Sequence, residues 1–438
     1  MCGIVGYIGP RPAYPILIQG LKQLEYRGYD SAGIALLDGS MQVFKKKGKV
    51  SELENFIGQQ TLTATAGMGH TRWATHGEPN DVNAHPHVSN NGHLSMIHNG
   101  IFENYAVLKE ALTRNGYAFT SETDTEVFLN LIEAYQIREN LDLADATTMA
   151  LSQVVGAYAI VVADDRNPDV LVAARKSSPL VVGMGDGEYF IGSDATPIVR
   201  YTNKVIYLKD NEIAILDRHK GVTIKDSKNV IQKPRIEEIS LRIEELEKGG
   251  YEHFMLKEIH QQPQTVSDCM RGRLKEHEGL VRVGGMEEYA GHFENAQRII
   301  IAGCGTSWHA GLIGEYLFED LARIPVEVEY ASELRYRNPV IREGDIVMAI
   351  SQSGETADTL AALEHVKSKG AMIYGVVNAV GSSIARLTDA GSYIHSGPEI
   401  GVASTKAFTG QVTLLSMAAL WLGHRRGTLP ISRYRTLI

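Results

Sequence analysis

Between residues 298 and 377, short apolar runs alternate regularly with stretches that have the composition of helices. In chain order, the runs and helical stretches are 298–302, 308–321, 345–350, 358–368 and 372–377. Strands that alternate with helices in this way form a parallel sheet covered by helices on both faces. This part of the chain is therefore predicted to be an α/β domain with a doubly wound parallel sheet.

The first half of the chain has a different pattern, in which short β-type runs are interrupted by two helical stretches. The runs include 31–37 and 157–163, and the helical stretches lie near 105–115 and 124–135. Glu126 falls in the first turn of the second stretch, where a helix N-terminus favours a negative charge. This pattern predicts an α+β domain.

A segment rich in Lys, Glu and Ile, at residues 225–262, separates the two patterns and indicates a linker. At roughly 150 residues per domain, a chain of 438 residues has room for two or three domains. We expect an α+β domain at 2–220, a linker at 221–280, an α/β domain at 281–426 and the start of another linker at 427–438.

Composition and charge exclude several classes of protein. Apolar residues make up 44% of the sequence and charged residues 22%, as is usual for a folded globular protein. The net charge of -9 argues against nucleic-acid binding, and no apolar stretch is long enough to span a membrane. Three widely spaced cysteines and the lack of a secretory signal predict a reducing, cytoplasmic location.

The second residue, Cys2, is a candidate nucleophile. Initiator methionine is commonly removed before a small residue, which would leave Cys2 with a free α-amine. The pKa of such an amine is roughly 7.7 to 8.0 and that of a thiol about 8.5, so the amine is able to accept the thiol proton. Hydrolysis of an amide through a thioester is the chemistry that this pair predicts.

The middle of the first half supplies groups that such a reaction needs. Arg72 offers a fork for a carboxylate, Asp124 offers a charge for an ammonium group, and Asn99 with Gly100 offers donors for an oxyanion. Taken singly, Arg72 and Asp124 could instead be members of surface ion pairs, and Asn99-Gly100 could instead form a type I′ hairpin turn. The histidines lack familiar metal-ligand spacing, so no metal or other cofactor is expected.

The ordered set of motifs in this half resembles class II glutamine amidotransferases. The motifs are MCGIVG at 1–6, YRGYDSAG at 26–33, HTRWATHG at 70–77, NAHPH at 83–87, HNG at 98–100 and SETDTE at 121–126. The resemblance implies an N-terminal-nucleophile hydrolase sandwich. It also implies the nucleophile Cys2, the oxyanion-hole residues Asn99 and Gly100, and the glutamine-binding residues Arg72, Trp73, Thr75, His76 and Asp124, with Trp73 also gating an ammonia channel.

Two loops in the second half combine glycine with short hydroxyl side chains. GCGTS at 303–307 follows the first predicted strand, and SQSGET at 351–356 follows the next. Ligands of parallel sheets bind beyond the carboxyl ends of the strands, and such loops suit a phosphate monoester. One such loop alone would more simply cap a helix. Neither has the spacing of a nucleotide-binding loop, and Cys304 is expected to be a small buried thiol.

These loops, together with EIGVASTKAFT at 399–409, resemble the sugar isomerase (SIS) domain. The resemblance implies eight residues that bind a sugar phosphate: Thr306, Ser307, Ser351, Gln352, Ser353, Thr356, Val402 and Ser404. Amidotransferases that join both halves use L-glutamine and fructose 6-phosphate and form glucosamine 6-phosphate, an amino sugar.

Such enzymes also carry a second SIS domain and a C-terminal tail, which provide the Schiff-base lysine, the ring-opening histidine and the isomerising glutamate. We therefore expect this chain to be a fragment or a truncated gene product, with a complete glutaminase half and an incomplete isomerase half. Lys406 is not expected to replace the missing lysine, since a lysine just inside a helix is usually solvated or paired with a carboxylate.

Two further hypotheses remain for the activity. In the first, the acceptor of ammonia differs, as in a phosphoribosylpyrophosphate amidotransferase or an asparagine synthetase. Both of these enzymes need a pyrophosphate or ATP loop, and the sequence contains none. A sugar-phosphate sensor would need a basic helix-turn-helix segment, which residues 1–220 do not suggest. Because SIS domains usually pair, a homodimer is expected.

Overall fold

The computed structural model describes residues 2–25, 28–73, 77–239 and 248–438. The chain divides into two compact units, Met1–Leu246 and Glu247–Ile438. No helix in the described part of the chain is both long enough and apolar enough to cross a membrane.

The first unit is built from two antiparallel sheets and five described helices. Its strands are β1 Gly3–Ile8, β2 Ser31–Leu37, β3 Met41–Lys47, β4 Ala66–Arg72, β5 His87–Val88, β6 Leu94–Phe102, β7 Gly156–Asp164, β8 Val170–Lys176, β9 Val181–Met184, β10 Tyr189–Gly192, β11 Lys204–Tyr207, β12 Glu212–Asp217, β13 Gly221–Asp226, β14 Ile231–Gln232 and β15 Glu237–Glu238. Its helices are α1 Ala13–Leu24, α2 Val50–Ile57, α3 Tyr105–Arg114, α4 Asp124–Glu139 and α5 Leu143–Leu151.

The strand order places β1 in the interior of its sheet. The eight-stranded sheet has the order β15-β11-β9-β10-β1-β4-β2-β3, and the seven-stranded sheet has the order β14-β13-β12-β8-β7-β6-β5. β1 pairs with β10 on one side and with β4 on the other. The first strand of the chain therefore lies between strands that come more than fifty residues later in the sequence.

The two sheets pack face to face, and helices cover their outer faces. In β7, Ala159 and Val161 point into the layer between the sheets, whereas Ile160 and Val162 pack with α4 and α5. On the other sheet, α1 and α2 cover the outer face. Since successive side chains of a strand point to opposite faces, a strand buried on both sides is apolar throughout. This explains the continuous apolar run at 157–163.

The second unit is a three-layer α/β domain. Its strands are β16 Leu274–Lys275, β17 Leu280–Val281, β18 Arg298–Gly303, β19 Val326–Tyr330, β20 Asp345–Ser351, β21 Met372–Val377 and β22 Ala390–Tyr393. Its α-helices are α6 Phe254–His260, α7 Gln262–Met270, α8 Gly284–Glu287, α9 Ala290–Asn295, α10 Thr306–Leu317, α11 Ala331–Tyr336, α12 Ala357–Lys367, α13 Ser383–Leu387, α14 Lys406–Arg425 and α15 Ile431–Leu437.

The main sheet of this unit is parallel and has the strand order β19-β18-β20-β21-β22. The chain leaves β18 toward β19 on one side and returns to β20 on the other, so the order of strands reverses between β18 and β20. In open parallel sheets, ligands bind at such a switch point. Helices α10 and α14 pack on one face of this sheet and α11 to α13 on the other.

The predicted α+β sandwich and parallel sheet are therefore both present. The predicted domain boundaries stay predictions. Of the segment predicted as a linker, 221–280, the strand β13 pairs with β12 in the first unit, and α6 and α7 belong to the second. At the end of the chain, the buried ring of Tyr434 stacks on His424 with the centroids 4.3 Å apart.

Candidate active site and sugar-phosphate site

Cys2 immediately precedes β1, and hydrogen bonds hold the start of that strand. The backbone N-H of Ile4 donates to the Ser193 hydroxyl at 3.2 Å, and the Ser193 N-H donates to the Ile4 carbonyl at 3.1 Å. Gly3 lies against Thr71 and Leu24, where an added Cβ would be 2.6 Å from the Thr71 Oγ1. The contacts of Gly3 and Ile4 therefore fix the position of the adjacent residue, Cys2, at the start of the strand.

The thiol of Cys2 is close to the backbone of Trp73. The Trp73 N-H donates to Cys2 Sγ at 3.2 Å, and Sγ lies 3.6 Å from the Trp73 carbonyl oxygen. Burial raises the pKa of the Cys2 thiol, an effect that the Trp73 N-H and the charge of Arg72 partly oppose. The thiol is therefore protonated at neutral pH and needs a base before it can attack.

Asn99 and Gly100 lie within strand β6, not in a hairpin turn. The Asn99 side-chain amide donates to the Cys2 carbonyl at 3.0 Å, which brings the two predicted catalytic segments together. Gly100 has a φ of +127°, and a Cβ at this position would lie 2.0 Å from the carbonyl oxygen of Ala157 on β7. Only glycine fits here, because the neighbouring strand occupies the space of a side chain.

Arg72 and Asp124 are buried, not surface ion-pair residues. Their exposed fractions are 4% and 8%. Burial lowers the pKa of Arg72, and the nearby Cys2 and Asp124 raise it. Asp124 begins α4, and its carboxylate accepts a 2.7 Å hydrogen bond from the Phe102 N-H. A buried guanidinium and a buried carboxylate whose charge acts on it suit a substrate that carries both an α-carboxylate and an α-ammonium.

The segment that follows Trp73 is anchored where the structure describes it. Asn83 donates to the Glu122 carboxylate at 3.0 Å and to the Glu78 carbonyl at 3.1 Å, while the Glu122 N-H donates back to Asn83 at 3.0 Å. The predicted glutamine-binding residues Thr75 and His76 lie outside the described residues. The indole of Trp73 is 39% exposed.

A cluster of buried histidines contacts Asn99 through His70. This cluster was not predicted from the sequence. The cluster consists of His70, His85, His87 and His98. Burial lowers the pKa of each, that of His70 to about 3, so all four are neutral at pH 7. The Thr125 hydroxyl hydrogen-bonds the rings of His85 and His98, and the Thr123 hydroxyl hydrogen-bonds the ring of His87. Among residues 2–25, 28–73, 77–239 and 248–438, no group of three or more His, Cys, Asp or Glu is arranged to hold a metal ion.

The two hydroxyl-rich loops of the second unit lie at the same edge of the parallel sheet. Strands β18 and β20 are neighbours, so the loops 303–307 and 351–356 follow them on both sides of the switch point. Thr306 begins α10, and Thr356 precedes α12. The first N-H groups of both helices therefore point toward the space beyond the sheet, where an anion is favoured.

Several hydroxyl oxygens in these loops already accept a hydrogen bond from nitrogen. Ser351 accepts from the Gly354 N-H at 3.0 Å, Ser353 from the Glu355 N-H at 3.1 Å, and Ser307 from the Gln411 side-chain amide at 3.0 Å. A hydroxyl whose oxygen accepts in this way can direct its own hydrogen outward as a donor. The loops are thus suited to bind oxyanions.

The segment 399–407 is held against the second loop by Glu399. The Glu399 carboxylate accepts from the Ser404 hydroxyl at 2.7 Å and from the Thr405 N-H at 2.9 Å, and its carbonyl lies 3.5 Å from the Gln352 amide. Val402 is 73% exposed in this segment. The structure therefore brings Gln352 and Ser404 together. Sequence reasoning missed Glu399, although a carboxylate before a helix N-terminus was a usable signal.

Two other sequence expectations for this unit need correction. Lys406 is not solvated: it is 4% exposed, and its ammonium donates to the Gln261 side chain at 2.9 Å. Cys304 is only partly buried, and its sulfur lies 3.8 Å from the Thr359 hydroxyl. The lysine is buried because α7 packs against the first turn of α14.

Comparison with known families assigns a domain to each part of the chain. Residues 55–263 match the family model of the glutamine amidotransferase domain, and residues 292–421 match that of the SIS domain. The fold and the site therefore define a glutamine amidotransferase that also carries an SIS domain, as the motifs predicted.

Whole-chain relatives specify the family. The chain is 60% identical over 440 residues to the glutamine-fructose-6-phosphate aminotransferase (isomerizing) of Bacteroides thetaiotaomicron, a match that covers all of this chain and 72% of the relative. It is 57% identical to the enzyme of the same name from Chlorobaculum tepidum, over 97% of this chain and 70% of the relative. The chain belongs to the glutamine-fructose-6-phosphate aminotransferase (isomerizing) family.

A solved structure with a related name is also similar in sequence. It is the C-terminal domain of glucosamine-fructose-6-phosphate aminotransferase from Francisella tularensis, which is 38% identical and covers 44% of this chain and 54% of its own, with a TM-score of 0.41.

Proposed function

We propose that this chain hydrolyses glutamine at Cys2 and transfers the ammonia to fructose 6-phosphate to form glucosamine 6-phosphate. The observation that carries the proposal is the contact between the Asn99 amide and the backbone of Cys2, at 3.0 Å, beside the Gly100 position where only glycine fits. Donors next to a nucleophile are the arrangement needed to stabilise a tetrahedral oxyanion.

The first half-reaction follows from the groups around Cys2. After removal of Met1, the Cys2 α-amine takes the thiol proton, and the sulfur attacks the side-chain amide carbon of glutamine. Asn99 and Gly100 donate to the oxygen that becomes negative. The carbon-nitrogen bond then breaks, the amine returns its proton to the leaving nitrogen, and ammonia departs. Water attacks the remaining thioester and releases glutamate and the free thiol.

The substrate glutamine is held by opposite charges at its α-carbon. Arg72 binds the α-carboxylate and Asp124 the α-ammonium, consistent with their burial and with the effect of the Asp124 charge on the pKa of Arg72. Thr75 and His76 complete this site in our proposal, and Trp73 controls the passage of ammonia. These roles rest on the family motifs of the chain.

The acceptor phosphate lies in our proposal between the two hydroxyl-rich loops. The proposed phosphate-binding residues are Thr306, Ser307, Ser351, Gln352, Ser353 and Thr356. The hydroxyls whose oxygens already accept from nitrogen, and the two helix N-termini, support this assignment, because they are able to supply donors without a metal. Val402 and Ser404 line the sugar. The homodimer and the cytoplasmic location expected from the sequence remain proposals of the same kind.

The test is an assay of the purified chain whose processed N-terminus has been verified by mass spectrometry. Glutamate release from glutamine is measured with and without fructose 6-phosphate, beside an assay for glucosamine 6-phosphate. We expect glutamate release that depends on Cys2. Formation of amino sugar supports the complete proposal. Glutamate without amino sugar restricts the proposal to the glutaminase reaction, and the lack of glutamate release rejects the role of Cys2.

A further inference from the structure

We propose that His70 is a positioning residue for the glutaminase reaction, which fixes the orientation of the Asn99 side-chain amide so that its N-H groups face Cys2. The inference rests on the proposed function, since it concerns the same oxyanion site. His70 lies on β4 and Asn99 on β6, so the contact joins the two sheets of the first unit.

The geometry determines which ring nitrogen of His70 carries a hydrogen. His70 Nε2 lies 2.9 Å from the Asn99 Oδ1 and 3.0 Å from the His98 carbonyl oxygen. Both neighbours accept hydrogen bonds, so Nε2 must be the donor. The other nitrogen, Nδ1, is buried and has no hydrogen-bond partner among the described residues. A hydrogen on Nδ1 would be an unpaired buried donor, whereas a bare Nδ1 leaves no donor unsatisfied.

The ring also acts as a neutral group. Burial lowers the pKa of His70 to about 3, and the rings of His70 and His85 lie 4.4 Å apart. Arg72 lies two residues after His70 on the same strand, β4. A neutral His70 ring adds no charge next to the guanidinium of Arg72. His70 therefore contributes a directed hydrogen bond to Asn99 and not an electrostatic field.

The orientation of the Asn99 amide decides whether it helps or hinders the reaction. The two ends of an asparagine amide have nearly the same shape, so packing alone does not distinguish them. If the amide were flipped, its oxygen would face the Cys2 carbonyl and the developing oxyanion, and the repulsion would raise the barrier. The His70 Nε2 hydrogen prevents this, because after a flip it would meet the Asn99 NH₂ group. A flip would therefore lose two hydrogen bonds of the Asn99 amide, the one with His70 and the one with the Cys2 carbonyl.

The experiment compares two substitutions of His70 that differ only in reach. In His70→Gln, an amide nitrogen with two hydrogens lies close to the position of Nε2 and serves both acceptors. In His70→Asn, the shorter side chain fails to reach Asn99. We expect the kcat for glutamate release to fall about tenfold or more in His70→Asn, with KM within about twofold, because the oxyanion is stabilised only in the transition state. His70→Gln should recover kcat to within about threefold of the wild type.

A second pair of variants separates positioning from a general structural role. Asn99→Ala and His70→Asn/Asn99→Ala should have the same kcat within about twofold, since His70 has nothing left to orient once the amide is removed. The proposal would be overturned if the losses in kcat caused by His70→Asn and Asn99→Ala multiplied in the double variant. It would also be overturned if the His70 variants raised KM at constant kcat, or if both were inactivated equally. Failure of the wild type itself to release glutamate would instead reject the proposed function, so the two failures are distinguishable.

Discussion

The side chain of Asn99 donates a 3.0 Å hydrogen bond to the backbone carbonyl of Cys2, a residue 97 positions earlier in the chain. One N-H of the amide is thereby used in the protein without substrate, and in the proposed mechanism the second donates to the substrate oxygen. The bond also holds Asn99, a proposed oxyanion donor, at a fixed distance from Cys2, the proposed nucleophile. Changes to either residue should consequently affect the rate of reaction more than the binding of glutamine.

Replacement of the proposed nucleophile gives the first prediction. Cys2→Ala should abolish glutamate release while the binding of fructose 6-phosphate, measured by calorimetry, stays the same. The physical reason is that the thiol is the only group in the proposed reaction that forms a bond to glutamine. Equal loss of both properties would indicate misfolding, and residual glutamate release at the wild-type rate would contradict the assignment of Cys2.

Gly100→Ala should destabilise the first unit by about 2 kcal/mol or more and inactivate the glutaminase, because its Cβ would meet the Ala157 carbonyl oxygen at 2.0 Å. Gly92→Ala is the matched control. Gly92 also has a positive φ, +83°, but nothing lies within 4 Å of the added Cβ. Urea denaturation of both variants measures the effect, and a similar loss of stability in the two would show that backbone strain and not the clash is responsible.

The two hydroxyl-rich loops, which form the proposed phosphate site, give a third prediction. Ser353→Ala combined with Thr356→Ala should weaken binding of fructose 6-phosphate about a hundredfold, since each lost hydrogen bond from a hydroxyl to a charged group is worth about 1.5 kcal/mol and about 1.4 kcal/mol corresponds to a factor of ten. Basal glutaminase activity without the sugar should not change. As a matched control, Ser368→Ala removes an exposed hydroxyl that bonds the His365 carbonyl at the other end of α12. Unchanged affinity in the double variant would remove the phosphate-site assignment.

Low pH should destabilise the first unit more than the second. Burial keeps the pKa of His70, His85, His87 and His98 below the ordinary value, so the native state binds fewer protons than the unfolded state below about pH 6.5. The free energy of unfolding therefore falls as the pH falls, by up to about 1.4 kcal/mol per pH unit for each proton taken up. The stabilising effect of neutral rings is complete above pH 6.5.

Hydrogen exchange of individual strands checks this pH dependence. Protection factors of the β6 amides, corrected for intrinsic exchange, should decrease between pH 7.5 and pH 5.5, a window above the titration of ordinary carboxylates. Amides of β20 in the second unit serve as the internal reference and should decrease less. Equal changes in both strands, or none in β6, would contradict the prediction.

Much of the second unit was predictable because its strands are buried on both faces. The predicted runs 345–350 and 372–377 correspond to β20 and β21 to within one residue, and the predicted helix 358–368 to α12. A strand of this kind is a continuous apolar run between turns, so its limits are visible in the sequence. The neighbouring positions of the two hydroxyl-rich loops followed from the same pattern and are confirmed.

The arrangement of the first unit was much less visible in the sequence. Val5 pairs with Gly192, and no local pattern connects residues so far apart. Asn99-Gly100 has the composition of a turn but lies in β6, where the approach of Ala157 and not a turn requires glycine. The role of His70 was likewise hidden, since it depends on which side chains meet between two sheets.

The interior position of β1 also has a consequence for how the enzyme is made. While the ribosome is still synthesising the first unit, β1 lacks its partner β10, because Tyr189–Gly192 does not yet exist. The N-terminus is then accessible to the processing enzyme that removes Met1, as the proposed mechanism requires. Only when about 190 residues have been translated can β1 be enclosed between β10 and β4. In the proposed mechanism, the free amine of Cys2 is therefore made before the sheet closes around β1, and the proposed glutaminase site is not complete before β10 has been translated.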